Sequence, residues 1–113
     1  MRTGWLLRDG EVLASAEMAV TFYERSRGLS WRTGYEGAMV LTHARSVHTF
    51  TVRFALDVAL CDADLGVLHT MRLGPRRLAL PRRKVRTVIE AEAGSFERWG
   101  LAPGDQLEFR AVE

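Results

Sequence analysis

From Ser46 to Asp62 the chain keeps one parity apolar while polar groups gather on the other. His48 apart, the even positions from Phe50 to Leu60 are all apolar, whereas Thr49, Thr51, Arg53 and Asp57 fall on odd ones. Successive side chains of an extended backbone point to opposite faces, so this spacing predicts strands over 47–54 and 56–61 with a polar row along one side. The same reasoning predicts strands over 37–41, 67–73, 85–92 and 106–112, with residues 62–66 turning the chain between two of them. Near the start, the Asp9-Gly10 pair separates two further apolar-rich runs and predicts a hairpin of 5–7 with 11–19. Thr21 and Glu24 have the spacing of a capping box, which predicts a short helix ended by Gly28. A second short helix is predicted over 94–99, stopped by Gly100, while the proline-flanked segment 74–83 reads as a loop. About seven strands and two short helices predict an α+β, mainly β domain with a curled or barrel-like antiparallel or mixed sheet.

Composition narrows the function classes. The 113 residues predict one domain, 1–113, large enough to bury somewhat over 60% of its unfolded surface by the usual size scaling. Cys61 is the only cysteine, so an internal disulfide framework is excluded, and any metal would depend on three histidines and carboxylates. Because the first apolar run, Trp5-Leu6-Leu7, is shorter than the roughly seven residues a leader needs, the expectation is a cytoplasmic protein. No segment approaches the roughly 18 apolar residues of a membrane span.

Charge is unevenly distributed along the chain. Residues 72–86 hold six Arg and Lys84 with no acid, whereas residues 87–113 hold two Arg against six acids. Seven of the 16 basic residues therefore crowd into one segment: Arg72, Arg76, Arg77, Arg82, Arg83, Lys84 and Arg86. Such a loop attracts phosphates, an acidic polymer or an acidic protein face. Sequence-specific nucleic acid is not expected, and single strands fit poorly because no aromatic occurs from Ala55 to Ser95 to stack bases. The competing structural reading is a solvated loop whose arginines neutralise Glu90, Glu92 and Glu97.

Four separated pieces, Arg27-Gly28-Leu29-Ser30-Trp31-Arg32, the 46–57 segment, the 62–67 turn, and Val88-Ile89-Glu90-Ala91 followed by Gly94 and residues 100–105, resemble the domain of unknown function 192 family of small prokaryotic proteins. The resemblance runs from about residue 21 to residue 109 and implies a compact, mostly β fold with no established activity. Similar chains carry Gly-Met where this one has Thr51-Val52, and Pro where it has Ala55. If that glycine admits a ligand or a close backbone, Thr51 would block it.

Asp57 stands among Val, Ala, Leu and Cys, where an unpaired carboxylate is costly to bury. Arg53, four residues earlier, lies roughly 13 Å away along a strand and cannot reach it. Arg27 or Arg32 is the expected partner, making the three a structural polar anchor; a carboxylate capping a turn is the related possibility. As an enzyme, a small hydrolase or transferase, the chain would build its pocket on Asp57, His48 and Thr49. However, no nucleophile motif accompanies them, and the parity of His48 predicts that it packs at the end of an apolar face. His43 and His48 differ in parity, and neither His69 nor Cys61 has a paired-ligand motif, so no metal or other cofactor is expected. Cys61 reads as a small core residue, and Trp31 and Trp99 as core-edge aromatics. The reading is a non-catalytic binding or assembly module presenting residues 72–86 to an anionic partner, with the small enzyme and a structural subunit of a cell-envelope or secretion assembly as alternatives.

Overall fold

Asp9 and Gly10 both adopt positive φ, 52° and 80°, the backbone of a tight hairpin turn, and join β1 (Arg2–Arg8) to β2 (Glu11–Ala19). In the computed structural model, which describes residues 1–21, 24, 29, 32, 34–49 and 52–112, there follow β3 (Ala38–Thr42), β4 (Val47–His48), β5 (Leu56–Cys61) and β6 (Val67–Leu73). β7 (Leu78–Ala79), β8 (Thr87–Glu92), the helix α1 (Ser95–Trp99) and β9 (Leu107–Ala111) complete the order. Seven strands form one mixed sheet in the order β6-β5-β8-β3-β2-β1-β9, and β4 pairs with β7 separately.

Every neighbour pair in the large sheet is antiparallel except β2 with β3. A parallel pair needs a crossover, and the predicted capping box sits at its start. The Glu24 amide donates to Thr21 Oγ1 at 3.1 Å, while Glu24 Oε1 accepts from the Thr21 amide at 3.2 Å. Glu24 also accepts from the Met1 amine, and that bond above all holds its carboxyl down at about 2. Most of this predicted helix, including Gly28, lies outside the described residues, so α1 is the one helix described in full. The sheet curls without closing. Its edges meet where Gly66 bridges Gln106: the Val67 amide donates to the Asp105 carbonyl at 2.9 Å, the Gly104 amide to the Val67 carbonyl at 2.9 Å and the Leu107 amide to the Leu65 carbonyl at 3.1 Å.

Both faces of the central strands are covered, which is why β5 is buried at all six positions rather than at alternate ones. One face joins Leu6, Val40, Ala59, Cys61 and Ile89 with Phe96 of α1, Leu101 and Leu107. The other joins Leu29, Met39, Val47, Leu56, Val58, Leu60, Val85 and Val88. Cys61 is wholly buried in the first cluster, and burial pushes its thiol up to about 12, so it is an inert core residue. Trp99 packs on the same cluster with its ring 5.7 Å from Phe96; Trp31 lies outside the described residues.

The predicted strand over 47–54 is not continuous. Among its described residues only Val47 and His48 belong to a strand, and the Val52 amide donates back to the Thr49 carbonyl at 3.2 Å, the bond of a turn. Parity cannot be carried across a turn, so Thr49 is buried and His48 exposed, the reverse of the sequence expectation. The predicted loop over 74–83 likewise contains a short strand, β7, whose Ala79 opposes Val47 and whose Leu78 opposes His48.

Candidate functional site

Three polar clusters carry the residues of interest. The first is Asp57, 4% exposed on β5. α1 begins at Gly94, whose φ of 97° suits a glycine but which brings no side chain to cap the helix. Asp57 supplies the missing acceptor from the neighbouring strand. Its Oδ2 accepts from the Gly94 and Phe96 amides at 2.9 and 3.1 Å, and its Oδ1 accepts from Arg72 Nε at 3.0 Å. The anchor is therefore a helix cap joined to a cross-strand pair, since Arg72 directly opposes Asp57 in the β5–β6 ladder. Arg32 is not its partner, and Arg27 lies outside the described residues. Asp57 and Arg72 line an open depression of about 300 Å³ with Thr70, Met71, Phe96 and Glu97. Neither His48 nor Thr49 reaches that depression, so the three candidate catalytic side chains do not converge there.

The second cluster lies on the opposite face, beside Leu29 and Tyr35. Glu90 on β8 is 2% exposed between the cross-strand residues Met39 and Val58, and its carboxyl accepts from the Leu29 amide. Its Oε1 has no partner among the described residues, and burial pushes the carboxyl up to about 7. Arg32 contributes a second orphan, a buried Nε without an acceptor among the described residues, while its guanidinium carbon stands 5.1 Å from the centre of the Tyr35 ring. The Tyr35 hydroxyl donates to Glu17 Oε1 at 2.6 Å; burial first, and Glu17 second, hold it above the usual phenol range. The Tyr35 amide donates to Glu92 at 3.2 Å. In the sequence Glu90 reads as a surface acid, and nothing there joins it to Arg32 and Tyr35. The available signal was its place in an otherwise apolar run, Val88-Ile89-Glu90-Ala91, the same kind of setting that singled out Asp57.

The third cluster is the basic loop, and Thr49 organises it. Fully buried, Thr49 donates through Oγ1 to the Gly74 carbonyl at 2.6 Å and accepts there from the Arg77 amide at 2.8 Å. Its own amide donates to the Arg77 carbonyl at 2.8 Å, and its carbonyl accepts from the Arg76 amide at 3.1 Å. Thr49 is thus committed to backbone groups and has no spare hydroxyl for chemistry. At the far end the Arg86 amide donates to the Cys61 carbonyl, and the Arg86 guanidinium turns back to the Val85 carbonyl at 2.8 Å. Between these ends Arg76, Arg77, Arg82, Arg83 and Lys84 are exposed, and none makes an ion pair among the described residues. Glu90 is shut beside Leu29, Glu92 accepts from the Tyr35 amide, and neither of them nor Glu97 forms an ion pair with the loop among the described residues. Arg72, though more than half exposed, belongs to β6 and is tied to Asp57.

A clamp that the sequence did not signal fixes the remaining edge. Arg8 donates to the Trp99 and Gly100 carbonyls and to Asp105 Oδ2, each at 2.9 Å. Asp105 also accepts from the Ala102 amide, and that bond first, with Arg8, keeps its carboxyl low. Among the described residues no three His, Cys, Asp or Glu side chains gather as a metal set.

The chain belongs to the DUF192 family, described as an uncharacterized ACR, which it matches over residues 5–109. It is similar to a UPF0127 protein of Thermococcus sibiricus, 26% identical over 103 residues that cover 86% of this chain and 67% of the relative. It is also similar to a phosphoribosyl-AMP cyclohydrolase of Pseudomonas putida, 34% identical over 70 residues. That match covers 62% of this chain and 45% of the relative, so the chain spans less than half the length of the cyclohydrolase. Among solved structures, a Novosphingobium aromaticivorans protein of unknown function matches with a TM-score of 0.71 and 26% identity, over 82% of this chain and 73% of its own. A Sinorhizobium meliloti protein whose name refers to transcription regulation has a TM-score of 0.76 at 23% identity, over 96% and 92%, and shows a shared fold alone.

Proposed function

We propose that this DUF192 protein is a non-catalytic binding module, one domain over residues 1–113 working in the cytoplasm, which presents its basic loop to an anionic partner. One observation carries the reading: Arg76, Arg77, Arg82, Arg83 and Lys84 are exposed on a loop whose backbone is held by Thr49 and by the β4–β7 ladder, and no acid of the described chain pairs with them. Five like charges on a flexible tether would spread apart. Held by the Thr49 bonds, they keep a standing positive field and lose less entropy on binding.

Heparin, as a soluble polyanion, tests the reading. Engagement of all five cations should weaken binding about a hundredfold between roughly 50 and 200 mM salt. Affinity that ignores salt, or no binding at all, rejects it. Thr49→Val keeps every cation but leaves the Gly74 carbonyl and the Arg77 amide without their partner, at a cost of about 1–3 kcal/mol. It should therefore weaken heparin binding several-fold in a chain that remains folded by circular dichroism.

A further inference from the structure

The basic loop also carries two large apolar side chains in water. Leu80 is 68% exposed and Leu78 52%, and they flank Ala79, which is buried. β7 therefore points Ala79 inward against Val47 and turns Leu78 outward, and Leu80, just past the strand, is exposed as well. His48, exposed and directly across the ladder from Leu78, lies beside them. The chain bends into left-handed backbone at Arg76, φ 61°, and at Lys84, φ 71°, one on each side of this segment. The result is an exposed tip in which Leu78, Leu80 and Pro81 stand between Arg76-Arg77 and Arg82-Arg83-Lys84 along the chain. The other exposed large apolar side chains, Met1, Trp5, Val12, Val20 and Val112, belong to β1, β2, β9 and their ends, away from these cations in the chain.

Resting on the anionic-partner reading and narrowing it, we propose that this tip docks on an anionic lipid bilayer, with Leu78 and Leu80 entering the headgroup boundary and the flanking cations meeting lipid phosphates. A soluble polyanion would satisfy the charges and leave both leucines in water. A bilayer surface accepts both at once, because its anionic headgroups overlie an apolar layer within reach of a side chain. The cytoplasmic leaflet is the one that carries such anionic lipid. Each cation near that surface strengthens binding about fivefold at low salt, so five cations and two leucines suffice for reversible docking without a spanning helix.

Co-sedimentation of the full chain with vesicles tests this, using phosphatidylcholine alone against phosphatidylcholine mixed with phosphatidylglycerol. Binding is expected to the mixed vesicles only. The double variant Leu78→Ala/Leu80→Ala alters exposed side chains and should lower vesicle partitioning about tenfold while leaving heparin affinity unchanged. In Leu80→Trp, the new indole should shift to shorter emission wavelength on mixed vesicles, read against the protein without this substitution. Heparin binding without vesicle binding overturns the bilayer inference and leaves the anionic reading standing. Vesicle binding that the leucine variant does not weaken overturns insertion. Failure to bind either probe overturns both.

Discussion

Asp57 and Glu90 are buried carboxylates on adjacent strands, one register position apart and on opposite faces of the sheet, yet they are served very differently. Val58 opposes Glu90, and Asp57 opposes Ala91. Asp57 lies where α1 starts, and a helix start has amides without intrahelical acceptors. It consequently receives the Gly94 and Phe96 amides as well as Arg72. Glu90 lies in mid-sheet, where neighbouring amides are already spent in the ladder, and among the described residues only Leu29 donates an amide to it. Burial depth alone therefore does not decide whether an acid is stabilising. The supply of unspent donors does, and chain ends are where those donors occur.

Removing the better-served acid should have the largest effect. Asp57→Ala orphans the Gly94 and Phe96 amides and uncaps α1, so stability should fall by about 2–4 kcal/mol in urea unfolding near neutral pH. A loss well under 1 kcal/mol would erase the contrast between the two acids.

Glu90 should reveal itself through pH. Its carboxyl is at about 7 in the folded protein against an ordinary 4.5, so between these values the folded state binds more protons than the unfolded. Its contribution is fully present below about 4.5, is lost as pH rises towards 7, and is constant above that. The uncharged Glu90→Gln keeps an acceptor for the Leu29 amide and should be more stable relative to the parent protein at pH 8 than at pH 5, by about 2 kcal/mol. Parallel pH profiles for the two proteins would show that Glu90 is not the strained partner.

The smallest effect is expected at Arg72, whose side chain is 57% exposed. Arg72→Gln leaves both amides on Asp57 and should cost less than about 1 kcal/mol, with the difference shrinking at high salt. A cost equal to that of Asp57→Ala would make the ion pair, rather than the helix cap, the basis of the Asp57 corner.

Much of the fold was legible because its signals are local. The Asp9-Gly10 turn, the Thr21–Glu24 capping box, the 56–61 and 67–73 strands and the Gly94 and Gly100 boundaries of α1 all depend on nearby φ preferences or on bonds spanning a few residues. Asp62 behaves in the same way: its Oδ1 accepts from the Asp64 and Gly66 amides at 2.9 and 2.8 Å, closing the predicted turn. The site was less legible. Alternation placed Thr49 on a polar row and His48 on an apolar one, but the turn after Thr49 reverses the two, and the hydrogen bonds that cause it come from residues 74–77.

By itself, the sequence determined the strand-rich class, the family, the local turns and caps, the cost of burying Asp57 and the concentration of charge over 72–86. Folding in three dimensions was needed to bring Asp57 to Arg72 and the start of α1, to shut Glu90 beneath Leu29, and to leave Leu78 and Leu80 in water beside cations that pair with no acid among the described residues. The reason is physical: backbone preferences act over a few residues, whereas the partner of a polar group is set by sheet register and loop packing, which join residues far apart in the chain.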